Sequence, residues 1–117
     1  MGETMIKEME KQYPECTNEL LNNFDKAYQL WCRKQHDYGD SNIRLGLDLS
    51  STSDSSQNNN RLAQLGVIIR MNDKLSRLIN LYKDDKSAAN ESVEDTCIDI
   101  MNYANILLTL LANKWGK

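Results

Sequence analysis

The chain has 117 residues, of which 40% are hydrophobic and 26% charged, and its formal net charge is -3 at pH 7. This length fits one domain and is too short for two ordinary ones. The acidic balance disfavours duplex DNA as the main partner, because the chain has no overall positive field to hold a phosphate backbone.

The lack of recognisable targeting signals and the spacing of the cysteines narrow the class of protein further. No apolar stretch approaches the roughly 20 residues that cross a bilayer, and the start has neither a signal-peptide core nor a myristoylation signal. We therefore expect a cytoplasmic protein. Cys16, Cys32 and Cys97 are too widely spaced for a Cys-x-x-Cys site, so neither zinc nor a disulfide is expected. Cys32 and Cys97 stand at apolar helical positions, which predicts buried thiols.

The first predicted helix covers about residues 15 to 35, where apolar side chains recur at steps of three and four. Pro14 suits its first turn, because the missing N–H would have no partner there. The segment HDYGDSN follows, with Gly39 tolerating a positive φ and with short polar side chains that bond to nearby backbone. This segment predicts an ordered turn or a site.

Two further helices follow a polar segment. Residues 49 to 60 are nearly all small and polar, which predicts a flexible loop. The helical period then returns over about residues 61 to 82 and again over 91 to 114, with Asn90 as a candidate N-cap. The apolar stripe of the third helix is so broad that it needs more than one neighbour.

These elements predict one all-α domain over residues 1–117, a small bundle of three main helices. We expect homo-oligomerisation to complete it, through apolar surface left on the third helix. A membrane partner is not expected.

Two charged stripes of opposite sign lie on the second and third predicted helices. The basic stripe consists of Arg70, Asp73, Lys74 and Arg77, and the acidic stripe consists of Glu91, Asp95, Asp99 and Asn102. One interpretation is that both are solvated or pair across a helical hairpin. The other is that surrounding apolar residues bury some of these charges, which then need each other or a ligand as partners.

The residue types in the stripes suit phosphate chemistry. Arginine and lysine together bind phosphates, and arginine does so with forked hydrogen bonds. Asp95 and Asp99, one turn apart, could share a magnesium ion. His36, the only histidine, has no nucleophile motif nearby, so a catalytic triad is not supported. Aromatic residues at helical spacing usually pack, and the two tryptophans are interpreted in that way.

Three blocks, HDYGDSN, RMNDKLSRL and ESVEDTCIDIMNYA, occur in this order and resemble the nucleotide-modification-associated domain family found mainly in phages. The resemblance covers about residues 24 to 110. The matching positions are Asp37, Tyr38, Gly39, Arg70, Asp73, Lys74, Arg77, Leu78, Glu91, Ser92, Asp95, Thr96, Asp99, Asn102 and Tyr103. The resemblance implies a helical protein connected with nucleotide metabolism or DNA base modification in phage genomes, located in the host cytoplasm.

That family is distantly similar to MazG-like nucleotide pyrophosphohydrolases, which bind magnesium with acidic residues on paired helices. This chain departs from those enzymes, because it has Arg-Met-Asn-Asp-Lys where they carry a Glu-Glu-x-x-Glu cluster. The departure disfavours hydrolysis and leaves nucleotide binding unaffected.

Three functions stay open at this point. The chain is a nucleotide-binding protein that captures a phosphate-bearing ligand such as a host immune signal, a magnesium-dependent pyrophosphohydrolase or nucleotide-modification enzyme, or a structural oligomerisation module. We favour binding, because no convincing general base accompanies the cations. The expected ligand-binding residues are Asp37, Tyr38, Gly39, Arg70, Lys74, Arg77, Asn102 and Tyr103, and the expected magnesium ligands are Glu91, Asp95 and Asp99.

Overall fold

The computed structural model describes residues 2–39, 56–89 and 91–117, and for residues 56–58 it describes the backbone alone. Within these ranges it contains four helices and no strand. They are α1 (Gly2–Gln12), α2 (Pro14–Tyr38), α3 (Ser56–Lys83) and α4 (Val93–Leu111). The all-α prediction is confirmed, and the predicted count of three helices is corrected by α1.

The ends of α2 and α3 differ from the sequence prediction. Helix α2 begins at Pro14, continues three residues beyond the predicted end and stops at Gly39, whose φ is 58°. Glycine suits this position because, without a Cβ, it adopts a positive φ readily. Helix α3 begins at Ser56, so the predicted loop is wrong for residues 56–60, while residues 49–55 lie outside the described ranges.

Helix α4 begins at Val93, two residues later than predicted, because Ser92 caps it. The Ser92 hydroxyl accepts a hydrogen bond from the Asp95 backbone N–H at 3.0 Å, which satisfies one of the unpaired donors of the first turn. Asn90, the predicted cap, lies outside the described residues. The helix ends at Leu111, three residues before the predicted end.

Helix α4 is the central element of the described fold. It packs against α3 on one side and α2 on another, whereas α1 packs against α2. The core between α3 and α4 consists of Ala63, Val67, Ile106 and Leu110, and Trp31 of α2 packs against it. The broad apolar stripe of α4 therefore has the two neighbours that its width requires.

The predicted burial of Cys32 and Cys97 is wrong. Both thiols are free and exposed, as is that of Cys16. Apolar periodicity places a residue on a helix face, but that face is buried only where another element covers it. No helix within the described ranges is both long and apolar enough to cross a membrane.

Candidate functional site

Five charged side chains meet where α2 and α3 approach the start of α4, and we call them the ionic cluster. They are Lys34 from α2, Lys74 and Arg77 from α3, Glu91 just before α4, and Asp99 on α4. Lys74 and Arg77 are three residues apart and so share a helix face. Packing of α3 on α4 brings that face to the beginning of α4.

Lys74 lies between the two carboxylates of the cluster. Its Nζ is 3.0 and 2.9 Å from Glu91 Oε1 and Oε2 and 3.1 Å from Asp99 Oδ2. The Asp99 side chain is only 9% exposed, so its charge needs a partner of this kind.

The ionisation of Lys74 and Glu91 follows from these contacts. Burial alone would lower the pKa of Lys74, but hydrogen bonds to Glu91 and Asp99 outweigh it and raise the pKa above 10.5. Burial alone would raise the pKa of Glu91, but its side-chain hydrogen bonds, above all that from Lys74, together outweigh burial and lower the pKa from 4.5 to about 2. Both groups are therefore charged at neutral pH. The stability that Glu91 contributes is present above pH 4.5 and is lost as the pH falls toward 2.

Arg77 holds the segment before α4 and the first turn of α4 against α3. Its Nη1 donates to Thr96 Oγ1 at 2.6 Å, and its Nη2 donates to the Glu91 backbone carbonyl. Thr96 is fully buried, and its hydroxyl is placed to donate to Glu91 Oε2 or to the Ser92 carbonyl. The guanidinium thus supplies a donor to the buried Thr96 oxygen and to the Glu91 backbone carbonyl.

Lys34 is the member of the cluster that the sequence prediction missed. Its Nζ lies 3.4 Å from Asp99 Oδ1, and its side chain is 38% exposed. The only sequence signal was its position one helical turn before Asp37 and Tyr38. A single lysine on an amphipathic helix does not reveal which carboxylate of another helix it reaches.

Several predicted ligand residues lie around the cluster and not in it. Asn102 is buried one turn after Asp99 on α4. Tyr103 is half-buried against the core, and Arg70 is half-buried one turn before Lys74. Asp73, the fourth residue of the basic stripe, is exposed.

The end of α2 and its C-cap contain the block Asp37, Tyr38 and Gly39. The Asp37 carboxylate lies 3.1 Å from His36 Nδ1, and both side chains are largely exposed. Tyr38 is also exposed. Lys34 precedes Asp37 and Tyr38 by one helical turn. The block therefore lies between the ionic cluster and the carboxyl end of α2.

The arrangement of the acidic residues does not fit a magnesium site. The described ranges contain no group of three His, Cys, Asp or Glu side chains placed to hold a metal ion. Asp95 is exposed, and the Lys74 ammonium lies between Glu91 and Asp99. Magnesium bound by those two carboxylates would have to displace the ammonium. The role of Glu91, Asp95 and Asp99 as metal ligands therefore stays a prediction without support from these contacts.

The model of one protein family, nucleotide modification associated domain 1, matches residues 34–111. The chain belongs to this family. The matched range contains the whole ionic cluster, from Lys34 to Asp99, and confirms the resemblance carried by the three sequence blocks. Neither a curated protein nor a solved structure matches the chain. The description of nucleotide modification associated domain 1 connects the chain with nucleotide chemistry and specifies no reaction.

Proposed function

We propose that this protein binds a phosphate-bearing nucleotide at the ionic cluster and leaves it chemically unchanged. The observation that carries the proposal is the charge balance of the cluster. Three cationic side chains face two carboxylates, so a partly buried surplus of one positive charge lies where three elements meet. A phosphate group would neutralise this surplus, and charge-assisted hydrogen bonds are strong in such an environment.

Lys34 is the cation best placed to contact the ligand. With the residues that the structure describes it has one ion pair, at 3.4 Å, and its side chain is more exposed than those of Lys74 and Arg77. Rotation of Lys34 toward a phosphate would leave Asp99 paired with Lys74. Lys74 and Arg77 would then act mainly through their charge, because their hydrogen bonds are directed at Glu91, Asp99 and Thr96.

Binding without turnover agrees with the state of the carboxylates. A general base works best with a pKa near the working pH, whereas the pKa of Glu91 is about 2. Capture of this kind would serve a phage when the ligand is a host immune signal in the cytoplasm. We therefore include cyclic and ADP-ribose nucleotides among the candidate ligands.

A second candidate function, a structural oligomerisation module, gives the charged stripes a structural role, and one observation favours that role. Arg77 is engaged inside the chain, with Thr96 and the Glu91 carbonyl, as expected of a charge that stabilises a helical hairpin. This role explains Arg77 but gives no reason for the third cation, Lys34. We therefore rank it below nucleotide binding.

A native mass spectrum of the wild-type protein with a nucleotide panel tests the proposal. The panel contains nucleoside 5′-mono- and triphosphates, cyclic nucleotides and ADP-ribose types, each with magnesium and, as a control, with EDTA. We expect at least one nucleotide to bind with defined stoichiometry and to be recovered unchanged after denaturation and chromatography. Failure of every panel member to bind would contradict the proposal. New products that require magnesium would contradict binding without turnover and favour an enzyme.

A further inference from the structure

A pocket of about 510 Å³ opens beside the ionic cluster, between α2, α4 and the residues that follow α4. Its volume is within the range of small-molecule sites. Its lining includes Tyr28, Trp31, Asn102, Asn105, Lys114 and Trp115. The lining contains basic side chains and no acidic one. The pocket therefore favours a planar ligand that is neutral or anionic over a cationic one.

Three aromatic rings form one side of the pocket. The Tyr28 and Trp31 rings are nearly parallel, with centroids 6.3 Å apart and planes 9° apart. The Trp115 ring meets Trp31 edge-on, with centroids 6.1 Å apart. Tyr28 is 63% exposed, so a face of its ring is open for stacking. Stacking of a base on such a ring is a common contribution to nucleotide binding.

Two residues that line the same space, Asn102 and Trp115, carry polar side-chain groups. Asn102 is only 8% exposed, and its side-chain amide makes no hydrogen bond to any described residue. Trp115 Nε1 is buried and lacks a partner in the same ranges. In native proteins the polar side chains of buried residues usually have a hydrogen-bond partner. An amide can give one donor and one acceptor at once to the edge of a nucleobase.

We propose that this pocket binds the base of the nucleotide, with Asn102 contacting the base edge and Tyr28 stacking on its face. The inference rests on the proposed function and adds a base-specific subsite to it. Asn102 follows Asp99 by one turn of α4, and Trp31 precedes Lys34 by one turn of α2. A nucleotide whose base fills the pocket therefore has its phosphate directed along the groove between α2 and α4 toward Lys34.

Tryptophan fluorescence tests the pocket directly, because both tryptophans of the chain, Trp31 and Trp115, line it. The probes are adenosine, guanosine, cytidine and uridine, their 5′-monophosphates, and ribose 5-phosphate as a probe without a base. We expect saturable quenching by at least one nucleoside and its monophosphate, and none by ribose 5-phosphate. Asn102→Ala should weaken binding of that nucleoside by roughly ten-fold or more. The matched variant Asn72→Ala, at an exposed position of α3, should bind like wild type.

Three outcomes would overturn the inference, after melting curves have shown that Asn102→Ala is folded. Nucleotides that bind in the mass spectrum without quenching the tryptophans would place the base elsewhere, and the proposed function would survive. Wild-type nucleoside affinity in Asn102→Ala would remove the amide from the site in the same way. Quenching that depends on protein concentration and not on nucleoside would also overturn the inference, because a second copy of the chain would then cover the pocket.

Discussion

Arg77 has two sets of partners available, the acceptors of its own chain and a ligand phosphate, and the contacts favour the first. Its guanidinium reaches Thr96, which is fully buried, and the backbone carbonyl of Glu91. The sequence placed Arg77 on a basic face, for which pairing with the acidic face of the next helix was one interpretation. Helical spacing shows which residues share a face. The partner of Arg77 depends also on the relative register of α3 and α4, and packing of Val67 against Ile106 and their neighbours sets that register.

Replacement of Arg77 by alanine should therefore destabilise the ligand-free protein. We expect Arg77→Ala to lower the free energy of unfolding by about 2–4 kcal/mol, since it removes the donor to the buried Thr96 oxygen and to the Glu91 carbonyl and leaves Glu91 with fewer cationic partners. Urea denaturation measures this change. Arg33→Ala, at an exposed position of α2, should change stability by less than about 0.5 kcal/mol. Unchanged stability together with a large loss of nucleotide affinity would instead make Arg77 a ligand contact.

At the scale of elements, strong apolar periodicity predicted three of the four described helices. Helix α1 was missed although Met5, Ile6 and Met9 lie at helical spacing, because eleven residues form a marginal helix in isolation. Residues 56–60 were predicted as loop because they are small and polar and bury little apolar surface. They are the first turns of a 28-residue helix, and cooperative propagation from the following residues outweighs local composition.

The candidate site was partly predictable for a related reason. Lys74, Arg77, Glu91 and Asp99 stood out because each belongs to a charged stripe on one helix. Lys34 did not, because its significance comes only from α2 packing beside α4. The pocket was missed as well. Trp31 and Trp115 were interpreted as packing residues, and they do pack against the core, but their contact with each other across 84 residues of sequence depends on the tertiary fold.

At the scale of the whole molecule, one chain leaves much of its apolar surface uncovered. The radius of gyration is 17.3 Å, whereas a compact chain of this length has about 13 Å. Seven large hydrophobic side chains of α3 are exposed: Leu62, Leu65, Ile68, Ile69, Leu75, Ile79 and Tyr82. On α4, only Leu108 and Leu111 are exposed to this degree. We therefore expect the homo-oligomer interface to involve α3 more than the helix first predicted.

Light scattering after size-exclusion chromatography tests this expectation. Wild-type protein at micromolar concentration should have the mass of an oligomer, because coverage of the α3 face removes apolar surface from water. Leu65→Glu, which places a charge in that face, should shift the mass toward monomer. Ser87→Glu, in the exposed link between α3 and α4, should leave it unchanged. A monomeric wild-type protein would refute the oligomer.

The measurement that tests nucleotide binding at the ionic cluster most directly is titration calorimetry of Lys34→Ala with the tightest-binding nucleotide of the panel. Lys34 is the exposed cation of the cluster, and its loss leaves Lys74 between Glu91 and Asp99. We predict roughly ten- to hundred-fold weaker binding, the scale of a charge-assisted hydrogen bond, with the melting temperature nearly unchanged. Lys26→Ala, at an exposed position two turns earlier on α2, should retain wild-type affinity. Equal affinity of Lys34→Ala, Lys26→Ala and wild type would show that the phosphate does not bind at the cluster.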